Sequence, residues 1–142
     1  MLIAEMAQYL QDMNLGVFED VLKVGTIYLY TMPSTPDQAI CLYDRGGTLA
    51  DGKLGYDPVD IEILVRGSDV ILTQQLAQHI YNTLHGFHNK SFVDGGIYII
   101  NCLAAQGAPN YIGKNQGLQF EFTLNFNLEI KNFEGGRNNG DY

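Results

Sequence analysis

Residues 118–130 read LQFEFTLNFNLEI, and their alternation governs how the rest of the chain is read. Seven apolar residues (Leu118, Phe120, Phe122, Leu124, Phe126, Leu128, Ile130) alternate with six polar ones without a slip. At period 2 the two sets occupy opposite faces of a β-strand. Unbroken, such a strand runs roughly 43 Å, although about five or six residues is the usual length. Two readings of the excess stay open. The strand extends past its own sheet toward a neighbour, or a bulge near Thr123 breaks it and keeps it within one subunit.

The remaining elements are placed around this strand. Leu2, Ile3, Met6, Tyr9, Leu10 and Met13 recur at helical spacing and predict an amphipathic helix over 2–13, ended by Asn14 and Gly16. Thr26–Thr31 and Ala39–Tyr43 are rich in β-branched and aromatic residues. The intervening MPSTPDQ is turn material, so the pair reads as a hairpin with a wide loop at a sheet rim. Asp44–Pro58, with its glycines and charges, reads as a mobile loop. Asp60–Gly67 (DIEILVRG) predicts a strand with Ile61, Ile63 and Val65 on one face. Ser68 or Asp69 caps a helix that runs to His85, with Leu72, Leu76, Ile80 and Leu84 as its buried seam and Gly86 as its stop. Gly95–Leu103 is a further strand and Gln106–Gly117 a loop. The expected architecture is α+β: an antiparallel-rich sheet with a long β-hairpin and two α-helices packed on one face. Residues 1–133 form one domain in this reading, and 134–142 form a flexible tail.

Composition narrows the classes. With 142 residues, 46% of them hydrophobic, the chain can bury one sizeable core. The net charge of −8 argues against binding nucleic acid by phosphate neutralisation. Residues 1–62 hold ten acidic and three basic side chains, against six and five in 63–142. That acidic half reads as solvated surface or as a wall that repels phosphates. No apolar run approaches the roughly 20 residues of a membrane span, so no membrane contact is expected. The N-terminus has no basic n-region and does not read as a signal peptide. Cys41 and Cys102, each within an apolar stretch, are expected as reduced core residues.

Catalytic chemistry is hard to find. His79 and His85 do not share a helical face, and His85 and His88 straddle Gly86, where the helix should stop. His85 better complements the helix C-terminal dipole than a metal. Neither YDRGG nor VDGG stands in a phosphate-loop pattern, and no serine has a nucleophile-elbow context. No catalytic residue, metal site or cofactor is therefore assigned, and no enzyme is expected.

Three stretches resemble a known family. TMPSTPDQAICLYDRGG (31–47), IEILVRGSDVILTQQLAQHIYNTLHG (61–86) and AAQGAPNYIGKNQGLQFEFTLNFNL (104–128) are similar, in that order, to segments of bacteriophage minor capsid proteins of the tail-terminator type. The family pattern often has a tyrosine leading into the helix, where this chain has Ser68–Asp69–Val70. The resemblance implies a virion protein of a long-tailed phage, at the head-proximal end of the tail. Its subunits would form a closed ring, usually a homohexamer, that caps the tail tube, stops its growth and joins it to the head connector. Implied partners are further copies of the chain, the tail-tube protein and a head-completion or connector protein, with DNA passing through the lumen without specific binding. Under that reading Gln119, Glu121, Thr123 and Asn125 face the lumen or a neighbour. Asp44, Asp51 and Asp57 line the channel or meet the connector, and Tyr142 is an apolar anchor on a partner. The alternative is a small ligand-binding module using an aromatic-rich sheet, favoured by nine tyrosines and disfavoured by the absence of tryptophan.

Overall fold

The alternating stretch becomes a central strand. A computed structural model describes residues 1–19, 25–45 and 56–131. In chain order the elements are α1 (Leu2–Asp12), β1 (Ile27–Leu29), β2 (Ala39–Asp44), β3 (Tyr56–Gly67), α2 (Val70–Leu84), β4 (His88–Ser91), β5 (Tyr98–Ala104), β6 (Asn110–Lys114) and β7 (Phe120–Lys131). They build an α+β fold on a mixed seven-stranded sheet in the order β1-β2-β3-β7-β5-β4, with β6 also paired to β7.

β7 does not extend past its sheet. Its twelve residues pair with β3 from Tyr56↔Lys131 to Gly67↔Phe120 without a register shift. Its other side is taken by β6 toward the N-terminal end and β5 toward the C-terminal end. Both expectations for the excess length are thereby corrected. The strand is unbroken at Thr123, and the shifts fall between Ile99 and Asn101 of β5 and between Tyr111 and Gly113 of β6. Neither side of its backbone is left for a neighbour, because β5 and β6 share its second side. Leu118 lies before the strand, with φ 62°, in the turn that reverses the chain after β6.

The period-2 prediction holds on the helix side. Phe122, Leu124, Phe126 and Leu128 are buried in one core with Ile40, Leu42, Ile61, Ile63 and Val65 and with residues of both helices. Pleating sends Ala39, Cys41, Leu64 and the polar residues of β7 to the other face, which no described helix covers. A second, smaller cluster forms there from Tyr28, Ala39 and Cys41, flanked by Met32, Tyr43 and Leu64.

α1 ends where expected, since Asn14 takes a positive φ of 63° just past the last turn. α2 is capped by Asp69, whose carboxylate accepts from the Leu72 amide at 2.9 Å. Its buried seam is Thr73, Ala77, Ile80 and Leu84. Leu72 is 62% exposed and Leu76 only half-buried, against expectation. The reason is geometric. At about 100° per residue, Leu72 and Leu84 lie about 120° apart around the axis, whereas Thr73 and Leu84 lie about 20° apart. Gly67 helps to fix this rotation, because a Cβ there would stand 2.2 Å from Thr73 Oγ1.

The expected hairpin of β1 and β2 is corrected to a parallel pair, Ile27↔Ile40 through Leu29↔Leu42. Every other pairing among the named strands is antiparallel. Residues 30–38 carry the chain back to start β2 alongside the start of β1. Residues 56–58, expected as loop, are strand because β7 offers them a full-length partner. Strand β6 likewise replaces part of the expected 106–117 loop. Of the calls on mobile chain, residues 46–55 and 134–142 lie outside the described residues, and so do Asp51 and Tyr142.

Candidate surface site on the helix-free face of the sheet

The helix-free face is organised by a loop that the sheet itself holds down. Arg66, near the end of β3, is 4% exposed. Its side chain donates from Nη2 to the Pro36 carbonyl at 2.7 Å and from Nε to the Asp37 carbonyl at 3.1 Å. A guanidinium suits this task, because its rigid fork reaches two acceptors and stays charged when buried. Gln119 adds a second clamp, donating from Nε2 to the Ser34 carbonyl (3.0 Å) and to Asp37 Oδ1 (2.9 Å). Gln119 is in turn held by the 115–119 turn. Its backbone N–H donates to Asn115 Oδ1 at 3.0 Å, and its Oε1 accepts from Asn115 Nδ2 at 2.9 Å.

The clamped loop shapes a groove. Phe18, Glu19, Ile27, Tyr28, Leu29, Thr31, Met32 and Pro33 line a depression of about 530 Å³ along β1, an outermost strand of the sheet. A second, more open depression of about 410 Å³ lies on the helix-free face, between Tyr30, Tyr43, Asp44, Arg45, Glu62, Leu64, Ile112 and Thr123. Within it the Tyr30 hydroxyl donates to Asp44 Oδ2 at 3.0 Å, which raises the Tyr30 pKa. Arg45 pairs with Glu62. Burial foremost, with a hydrogen bond to Cys41 next, pushes Tyr43 up to about 12.

The expected interface residues separate by burial. Gln119 and Thr123 are buried, at 6% and 7% exposure, and Gln119 is spent on the loop clamp. Glu121 is half-buried, within 3.3 Å of the Asn115 side-chain amide, and Asn125 is exposed. Asp44 and Thr123 meet in the same depression. Asp57 is half-buried in β3, opposite Ile130 of β7.

Two of the three histidines are tied to the backbone. His85 Nδ1 accepts from the Ala104 amide at 2.9 Å, linking the end of α2 to the sheet. His88 Nδ1 lies 2.7 Å from the Gly86 carbonyl, which requires that nitrogen to carry the proton. His79 is exposed on α2. Among the described residues no group of three His, Cys, Asp or Glu is placed to hold a metal. Both cysteines are buried thiols, and burial pushes Cys102 up to about 12.

A family model described as "Bacteriophage tail terminator protein" matches residues 9–132. The chain belongs to the bacteriophage tail terminator proteins. The solved virion of a native gene transfer agent (GTA) particle contains a chain of similar fold. The two superpose with a TM-score of 0.63 at 12% identity, over 89% of this tail-terminator chain and 93% of the other. No match to a curated protein was found. A structural protein of the phage virion is the class these findings support.

Sequence reasoning missed the Arg66 clamp and the β1 groove. Arg66 did leave a signal: it is the single basic side chain in the apolar strand DIEILVRG, and alternation places it on the face opposite Ile61, Ile63 and Val65. Nothing in IYL marks an outermost strand, because its neighbours in the sheet are set by the topology.

Proposed function

We propose that this chain forms a ring, usually of six copies, that caps the tail tube of a long-tailed phage, stops its polymerisation and joins it to the head connector. The match to the tail terminator family over residues 9–132 carries the reading. The geometry is compatible with a structural role. One sheet face is consumed by the core, and the other bears Asn125, Asn127 and Glu129 as exposed groups beside the smaller cluster of Tyr28, Ala39 and Cys41. In this reading the helix-free face and Asp44, Asp51 and Asp57 meet the lumen or the connector, where negative charge keeps passing DNA from sticking. Partners are further copies of the chain, the tail-tube protein and the head-completion protein, at the head-proximal end of the virion. Residues 134–142, with Tyr142, anchor on one of these partners. No catalytic step belongs to this role.

Removing the gene from a phage that carries it tests the reading. Electron microscopy should show tails of unregulated length and heads without tails, both corrected by supplying the chain in trans. Tails of normal length joined to full heads would refute it.

A further inference from the structure

Helix α2 carries no Asp, Glu, Lys or Arg in its 15 residues, VILTQQLAQHIYNTL. Charged residues make up 17% of the chain, so about two or three are expected over that length. A helix with one face on a core ordinarily presents charged and polar groups on the other. Here the buried seam of Thr73, Ala77, Ile80 and Leu84 is backed by a stripe of Ile71, Leu72, Gln75, Gln78, His79 and Asn82. At about 100° per residue these six lie within about 120° of one another, opposite the seam. Ile71 and Leu72 are 66% and 62% exposed. Gln78 Nε2 donates to Asn82 Oδ1 at 3.0 Å, which aligns two amides along the stripe. An open depression of about 410 Å³ lies among Gln74, Gln75, Leu76, Gln78 and His79. The Asp69 carboxylate at the start of the helix is held by the Leu72 amide.

The stripe begins away from the points where undescribed segments join the sheet. α2 packs on β3, β7 and β5, and its first turn follows the Gly67↔Phe120 pair. Tyr56 and Lys131, which flank residues 46–55 and 132–142, pair at the opposite end of the same two strands. Glu19 and Gly25, which flank residues 20–24, lie by β1, three strands from β7.

Charge selects the occupant of this face. The chain carries −8 at pH 7. A partner of different sequence can offer a complementary basic surface, and charged side chains then serve recognition. An identical copy brings the same excess of acid, and like charges set against each other across a contact suppress association. Self-association of an acidic chain therefore favours the surface with no charge to repel, and depletion of charge marks the centre of protein interfaces. Area sets the context. A 15-residue helix is about 22 Å long and about 10 Å across, so its outer face covers roughly 200 Å². A stable pair needs about 800 Å² from each partner. Such a contact holds only when others act with it, as in a closed ring where each copy is gripped on two sides.

We propose that the outer face of α2 is a contact between neighbouring copies of this chain. The inference rests on the ring reading and deepens it by naming one lateral surface. In a head-to-tail ring the counterpart is a different face of the neighbour. A photo-crosslinking residue in place of Gln75, in a phage whose tails carry the chain, should yield a covalent dimer of this chain, identified by mass spectrometry. Gln75→Glu with Gln78→Glu should fold as the wild type does by circular dichroism, since exposed substitutions shift stability little. The same pair should lower rescue of a phage lacking the gene by about tenfold or more, because an unpaired carboxylate buried at a contact is strongly unfavourable. Gln75→Ala with Gln78→Ala adds no charge and should rescue as the wild type does. A crosslink to a different protein, or none in tails that contain the chain, overturns the copy as occupant and leaves the ring reading standing. Full rescue by the glutamate pair, or an alanine pair that is folded and equally defective, overturns the charge argument and the inference with it. A wild-type chain absent from assembled tails overturns the ring reading and the contact together.

Discussion

Replacing Arg66 by methionine should release the 30–38 loop at a measurable but bounded cost. The substitution keeps most of the apolar stem and deletes the donors to Pro36 and Asp37. Hydrogen bonds from a charged donor contribute about 1.5–3 kcal/mol each. Against this, a buried guanidinium carries a desolvation penalty of several kcal/mol that methionine does not. The net expected loss is about 1–3 kcal/mol. The clamp is also poised. Ordering residues 34–37 costs roughly 1–2 kcal/mol per residue, about the combined strength of the bonds from Arg66 and Gln119. Losing half of those bonds should therefore free the segment, and Gln119→Leu in the same chain should then cost less than it does alone. With a urea m-value of about 2 kcal/mol/M, a loss of about 2 kcal/mol lowers the unfolding midpoint by about 1 M. A double-mutant cycle should show coupling of at least about 0.5 kcal/mol, since both side chains bind Asp37. Additive losses, or an Arg66→Met protein as stable as the wild type, would refute the clamp.

Two other outcomes follow from the core and from its thiols. Phe126 is fully buried in the middle of β7, so Phe126→Ala should cost about 3–5 kcal/mol in urea unfolding, whereas Asn125→Ala beside it should cost little. Stability should also fall as pH rises from about 9 toward 12. In that window the unfolded chain ionises thiols and phenols whose folded pKa values are raised, Cys102 and Tyr43 each to about 12. The unfolded state then binds fewer protons than the folded state, which sets the sign. Cys102→Ala should flatten part of that decline in thermal melts taken across the window, and an unchanged slope would show that the burial of this thiol carries no pH linkage.

What could be read from the sequence is what depends on one element at a time. The alternation in 120–130 fixes which β7 residues face the core, because pleating is a local property of the backbone. Asn14 and Asp69 mark helix ends for equally local reasons: a left-handed residue just past the last turn of α1 and a carboxylate cap on α2. Pairing is not local. The parallel direction of β1 and β2 depends on a loop held by Arg66 from another strand and by Gln119 from a distant turn. The same reasoning explains why neither a protrusion nor a bulge at Thr123 accounts for the length of β7. A long amphipathic strand is an open edge only if its neighbours are short, and here β3 matches it residue for residue while β5 and β6 divide its other side. The outer strands that such a sheet leaves are ones the sequence marks least: IYL with three residues, HNKS with four and NYIGK with one glycine and one lysine. Three to five residues are too few for a period to stand out, so the pattern of such a strand is weak. The outer strands of the sheet were accordingly the hardest elements to place from the sequence.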